Sequence, residues 1–133
     1  MPSKLLIAMR KKTIKDDTDF LLSQIVKGMQ DKKAKKIVSL ELSEIPNSVA
    51  QYFVICHAQS KQQVNAIYNN VVEEAQKNCG VKPFHREGFE NSEWILIDYF
   101  DIVVHVFLDD IRTFYHIEDL WADAAMKEYA SDD

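Results

Sequence analysis

Apolar positions along the chain change their period several times, and each change marks an element. Leu21, Leu22, Ile25, Val26 and Met29 fall on one stripe of a 3.6-residue period. Asp16 to Thr18 just ahead of them can cap free amides, so a helix is expected to start there. The lysine-rich DKKAKK run lies at its C-terminal end, where positive charge suits the helix dipole and needs no nucleic acid to explain it. From Ile37 to Leu42 the pattern alternates, with Val38, Leu40 and Leu42 on one face and Ile37, Ser39 and Glu41 on the other. That predicts a half-covered strand toward a sheet edge. Residues 43–50, with Pro46 and Asn47, read as a loop, and YFVICH at 52–57 as a short central strand.

The next helix is the best marked. Ser60 with Gln63 forms a capping box, Val64, Ile67, Tyr68, Val71, Val72 and Ala75 hold the helical period, and Gly80 supplies a left-handed stop. Pro83 to Gly88 then reads as a strand, which makes strand–helix–strand a crossover unit expected to be right-handed.

The stretch from Trp94 to Trp121, WILIDYFDIVVHVFLDDIRTFYHIEDLW, predicts strand, tight turn, strand and helix. Both alternation classes are apolar from Trp94 to Tyr99 and from Ile102 to Leu108, as in strands covered on both faces. A turn at Phe100-Asp101 sets Tyr99 opposite Ile102, Ile97 opposite Val104 and Ile95 opposite Val106. The other face then carries Trp94, Leu96 and Asp98 beside Val103, His105 and Phe107. The final helix is expected from Asp109-Asp110 through Ile111, Phe114, Tyr115, Ile117, Leu120 and Trp121, with a fraying tail from Met126.

At 133 residues and 47% hydrophobic, the chain is read as one α/β domain at residues 16–124, with a flexible basic arm at 1–15 and an acidic tail at 125–133. The net charge of −5 argues against a nucleic-acid-coating protein and suits a basic partner. The charge is uneven: the first fifteen residues hold five cations and no acid, while residues 109–133 hold eight acids against Arg112 and Lys127. Cys56 and Cys79 form no paired motif, which fits a reducing, cytoplasmic setting, and no segment approaches a membrane span or a signal-peptide core.

Candidate chemistry is sparse. Asp98 and Asp101 with His105 could in principle hold a divalent metal, as carboxylates on adjacent strands do in nucleotidyltransferases. The Gly-Ser turn that such enzymes use to meet a phosphate is replaced by Ala58-Gln59-Ser60. The four histidines lack zinc spacing, Ser60 has no nucleophile elbow, and no phosphate loop or dinucleotide fingerprint occurs. Neither a catalytic residue, a metal nor a cofactor is therefore expected. What remains is a surface: Trp94, Tyr99, Tyr115 and Trp121 near Asp98, Arg112 and Glu118, the composition of a protein–protein hot spot, with burial of the same rings in the core as the competing reading.

At these residues the chain resembles the ribosomal silencing factor, or Iojap, family. The similarity spans about residues 19–124 and rests on YFVIC (52–56), SKQQVNAI (60–67), Glu87-Gly88, WILIDYFDIVVHV (94–106) and RTFYHIEDLW (112–121), in order and at the right spacing. The resemblance implies a mixed sheet of about five strands flanked by helices, nucleotidyltransferase-like in shape and without catalysis. It also implies a factor that binds the large ribosomal subunit through its basic L-fourteen protein, prevents the small subunit from joining and represses translation when nutrients are short. Organelle relatives act in large-subunit assembly, and homodimers are common. Carried onto this chain, the binding patch is Trp94, Asp98, Tyr99, Arg112, Tyr115, Glu118 and Trp121, with little direct nucleic-acid contact. Two positions depart from the family: Phe100 stands where glycine is usual, so the turn is expected to be wider or strained, and Gln51 stands where aspartate is usual. Two alternatives stay open, an assembly factor without silencing and a metal-dependent nucleotidyltransferase.

Overall fold

A computed structural model describes residues 4–45 and 50–131; for residues 4–16, Leu120 and Trp121 only the backbone is considered. The elements in chain order are α1 (Lys4–Asp31), β1 (Lys35–Glu41), β2 (Tyr52–Ala58), α2 (Lys61–Cys79), β3 (His85–Glu87), β4 (Trp94–Asp98), β5 (Ile102–Leu108), α3 (Asp109–Tyr115), a 3-10 turn (Ile117–Trp121) and β6 (Ala125–Glu128). They form a six-stranded mixed sheet in the order β3-β4-β5-β2-β1-β6. β2 runs parallel to β5, and every other neighbouring pair is antiparallel. β3 is therefore parallel to β2, as a crossover through α2 requires.

The helical layer lies on one side. Ile25 and Met29 of α1 and Ile67 and Val71 of α2 are fully buried with Val54, Ile95, Ile97, Val104 and Val106 of the sheet. The opposite face gathers Val38, Leu40, Leu42, Ile55, Phe107 and Ile117, with Trp94 and Ile111 packed at its margin. Coverage on both sides explains why the Trp94 hairpin reads as unbroken apolar sequence. At α2, Ser60 Oγ accepts from the Gln63 amide at 3.1 Å, and Gly80 closes the helix at φ +69, its amide donating to the Gln76 carbonyl. The serine cap and the glycine stop match the sequence signals, whereas the Gln63 side chain donates to the Lys32 and Lys33 carbonyls at 3.2 Å, outside the expected capping box.

The hairpin register is the expected one, Ile95 against Val106 and Ile97 against Val104. Its turn stays at two residues and is strained: Phe100 sits at φ +79, where a side chain is disfavoured. Asp98 Oδ1 holds that turn by accepting from the Phe100 amide at 2.7 Å.

Four expectations are corrected. α1 begins at Lys4, so residues 4–15 of the expected arm are helical, while residues 1–3 lie outside the described part. α3 stops at Tyr115, because His116 takes a left-handed conformation (φ +47) and the chain turns into the 3-10 segment. The expected tail contains β6, which pairs with β1 so that Val38 faces Glu128 and Leu40 faces Met126. β1 is accordingly an inner strand. All four β6 side chains are exposed, so the strand carries no alternation to read; its backbone pairing and the Tyr129 phenol, 3.0 Å from Ser39 Oγ, hold it.

Candidate docking surface

The sheet face turned away from α1 and α2 carries a run of aromatic rings. Phe53 of β2 meets His105 of β5 at 4.8 Å between ring centroids. Trp94 of β4 lies 4.8 Å from Phe107 and 5.1 Å from Tyr115 of α3, which in turn meets Phe114 edge-on at 5.1 Å. Strand alternation brings Trp94, His105 and Phe107 onto one face, and the short α3 folds back to lay Tyr115 over them. The inner rings are covered, whereas Tyr115 is 51% and Phe114 79% exposed.

Trp94 is held at its polar edge. Its indole Nε1–H donates to His105 Nδ1 at 3.0 Å, so the neutral imidazole carries its proton on Nε2. That Nε2 is buried without a partner, and burial pushes the His105 pKa down to about 4. The ring is neutral at pH 7 and acts as a fixed acceptor. Below Trp94, Gly88 (φ +81) crosses the Trp94 carbonyl so closely that a Cβ there would come within 2.0 Å of the oxygen. Glu87, Gly88, Trp94 and Leu96 line a shallow hollow of about 310 Å³ beside the rings.

A polar cluster anchors α3. Arg112 donates through Nε to Glu118 Oε1 at 2.6 Å and through Nη1 to the Lys36 carbonyl at 2.8 Å and His57 Nδ1 at 2.9 Å. Lys36, at φ +47 beside an irregularity in β1, presents its carbonyl to the guanidinium. His57 Nε2 lies 3.5 Å from Asp109 Oδ1. Burial and then the Arg112 charge lower the His57 pKa. The side chains of Arg112 and Glu118 are only 10% and 21% exposed, so the pair is partly desolvated and bonded internally.

The seven expected patch residues thus fall into three places. Trp94 and Tyr115 meet ring against ring at a 49° tilt. Arg112 and Glu118 form the anchor under α3. Asp98 braces the β4–β5 turn, and Tyr99 packs on the opposite face among the helices, its hydroxyl buried without a partner and its pKa raised by burial. Tyr99 is therefore across the sheet from Trp94. The Trp121 side chain lies outside the described residues. Phe53, Phe107 and Phe114 join the aromatic run although they lie outside the expected patch; the hairpin register points to Phe107, while Phe53 needs the parallel β2–β5 pairing.

Asp98 and Asp101 are both engaged within the fold. Asp98 caps the turn, and Asp101 accepts from the Thr18 hydroxyl at 3.4 Å on the helix side. Among the described residues no group of three or more His, Cys, Asp or Glu side chains is placed to hold a metal, and no helix is long and apolar enough to cross a membrane.

Comparison with known proteins agrees with this architecture. A family model described as ribosomal silencing factor during starvation matches residues 15–133. The ribosomal silencing factor of Halalkalibacterium halodurans is 42% identical over 108 residues, covering 81% of this chain and 91% of that protein. That of Bacillus subtilis is 42% identical over 98 residues, covering 74% and 81%. A Bacillus halodurans crystal structure superposes with a TM-score of 0.73 at 39% identity, covering 84% of this chain and 99% of the other. A Chromobacterium violaceum crystal structure also gives 0.73, at 35% identity, covering 78% and 85%. With the mixed sheet, the crossover helix and the ordered motif blocks all in place, the chain belongs to the ribosomal silencing factor family.

Proposed function

We propose that this protein is a non-enzymatic translational repressor that binds the large ribosomal subunit and sterically prevents the small subunit from joining, acting when nutrients are limited. The family match over residues 15–133 carries this reading. The exposed aromatic run supports it with a surface suited to a protein partner: rigid rings on a braced scaffold bind with little loss of conformational freedom. The partner within the subunit is the basic L-fourteen protein, and the net charge of −5 favours encounter with it. Trp94, Tyr115 and Phe114 make the contact. Arg112 and Glu118 hold α3 in place, and Asp98 and Tyr99 stabilise the hairpin end. The free form is a homodimer in the cytoplasm, and neither cofactor nor metal takes part.

Sedimentation of purified subunits through sucrose gradients, under magnesium conditions that favour joining, tests the reading. Co-migration with the large subunit and loss of joined ribosomes is the expected result. Co-migration with joining intact would favour the assembly role. Protein remaining at the top of the gradient would overturn ribosome binding. Engagement of Asp98 and Asp101 within the fold argues against the nucleotidyltransferase alternative, and calorimetry with magnesium and nucleoside triphosphates is expected to show no binding heat.

A further inference from the structure

β6 ends the sheet, and among the described residues its outer side pairs with no strand. Ala125 to Glu128 meets β1 in unbroken register, and beyond it the Tyr129 amide donates to the Ile37 carbonyl. That bond sets the phase of the antiparallel ladder. Lys127 bonds inward to Ser39, so Met126 and Glu128 turn their amides and carbonyls outward. Free edges are normally blunted by proline, a bulge or a guarding lysine. β6 holds no proline and no bulge, and Lys127 is drawn back over the Tyr129 ring, 5.1 Å from its centroid.

A cleft flanks this edge on each face of the sheet. On the helix side, α1, β1 and β6 border about 380 Å³, with Asp19, Glu41 and Tyr52 on its polar wall and Leu22 and Tyr129 on its apolar one. On the other face, about 400 Å³ lies between α3 and β6, against Val38, Met126 and Glu128. Successive residues of a strand point to opposite faces, so a strand added to β6 sends alternate side chains into the two clefts. The clefts differ in chemistry. Asp19 and Glu41 have no ion pair among the described residues, and the one cation on that wall, Lys127, already lies over Tyr129. Burial, then Glu41 and Asp19, raise the Tyr52 pKa, the response of a phenol to negative charge gathered beside it. In the other cleft Arg112 and Glu118 bond each other, which leaves Val38 and the 56% exposed Met126 as its contact surface.

We infer that β6 is a docking edge for an extended basic peptide of a protein partner, which adds to the sheet with its lysine or arginine side chains in the Asp19–Glu41 cleft and its alternate, apolar side chains against Val38 and Met126. Main-chain bonds to Met126 and Glu128 supply affinity, and the two unlike clefts select a peptide in which cationic and apolar residues alternate. Three strands, β5, β2 and β1, separate this edge from β4. The surface is therefore additional to the aromatic run at Trp94 and Tyr115, which stays open when the edge is filled.

Fluorescence anisotropy tests it, with the full-length protein titrated into a fluorescein-labelled five-residue peptide that alternates lysine and valine. Saturable binding is expected at concentrations below about 1 mM. It should weaken by about tenfold or more when the same residues are arranged in separate blocks, and again at high salt. Amide hydrogen exchange followed by NMR should show the peptide protecting Met126 and Glu128 about tenfold or more, while Lys127, already bonded to β1, changes little. Met126→Pro removes an outward amide and no bond to β1, so it should weaken binding by about tenfold with circular dichroism unchanged. Asp19→Asn with Glu41→Gln leaves the strand untouched and should remove most of the salt dependence. No binding up to about 1 mM, equal binding of the block peptide, or protection elsewhere in the sheet would each overturn the inference. So would protection of Met126 and Glu128 that rises with protein concentration in the absence of peptide, which would place a second copy on the edge. None of these outcomes touches the silencing reading, which the sucrose gradient decides separately.

Discussion

Trp94 and His105 are joined edge to edge, the indole N–H donating to a buried imidazole nitrogen at 3.0 Å. The bond fixes the tilt of the indole and thereby the ring on which Tyr115 rests. Replacing Trp94 by Phe keeps an aromatic surface but leaves Nδ1 buried without a donor. A loss of about 1–3 kcal/mol in urea denaturation is expected, with helix and strand content retained by circular dichroism.

The same imidazole predicts a pH dependence. Its native pKa is about 4 against an ordinary 6.5, so the unfolded chain binds the proton more readily between those values. Stability from this group is complete above pH 6.5 and is lost as the pH falls toward 4. Between pH 7 and pH 5 the loss is about 2 kcal/mol. His57, also lowered, adds a loss of the same sign. A His105→Gln variant should flatten the slope by the His105 share; an unchanged slope would contradict the assignment.

Tyr115 separates docking from folding. Half exposed at the end of a seven-residue helix, it should tolerate Tyr115→Ala with a stability change below about 1 kcal/mol. Large-subunit binding, measured by co-sedimentation, should weaken at least about tenfold. Equal binding by parent and variant would move the docking surface elsewhere.

Arg112 is expected to behave in the opposite way. Arg112→Ala removes the partner of Glu118 and the donor to the Lys36 carbonyl, so stability should fall by about 2–3 kcal/mol. Any loss of ribosome binding should follow from displacement of α3. Glu118→Gln retains an acceptor for Arg112 and should bind nearly as the parent does, whereas a direct contact role for the carboxylate predicts a large loss.

Phe100→Gly relieves a strained turn. With φ at +79, glycine should raise stability by about 1 kcal/mol in thermal or urea unfolding, reduced by the lost contact with Phe84.

Much of this molecule is local in origin and could be read from the chain. The capping serine, the terminal Gly80 and six apolar positions at helical spacing specify α2 because each acts within a turn of its neighbours. The hairpin register follows from alternation and a two-residue turn, and it places Trp94, His105 and Phe107 on one face. The charge contrast between residues 4–15 and 16–20 is likewise plain in the sequence.

What the tertiary structure decided depends on partners distant along the chain. β6 exists because the β1 edge has backbone groups to satisfy, a demand that leaves no imprint on four exposed side chains. Alternation already puts Tyr99 and Trp94 on opposite faces, but only the packing shows that Tyr99 lies under the helices and Trp94 under Tyr115. Arg112 looks like a surface charge until the bend at His116 brings Glu118 back to it and the distorted start of β1 offers the Lys36 carbonyl. Periodicity reports which face a residue shares, whereas only the folded chain determines what covers that face. That distinction separates the rings of the proposed docking surface from the residues that hold them in place.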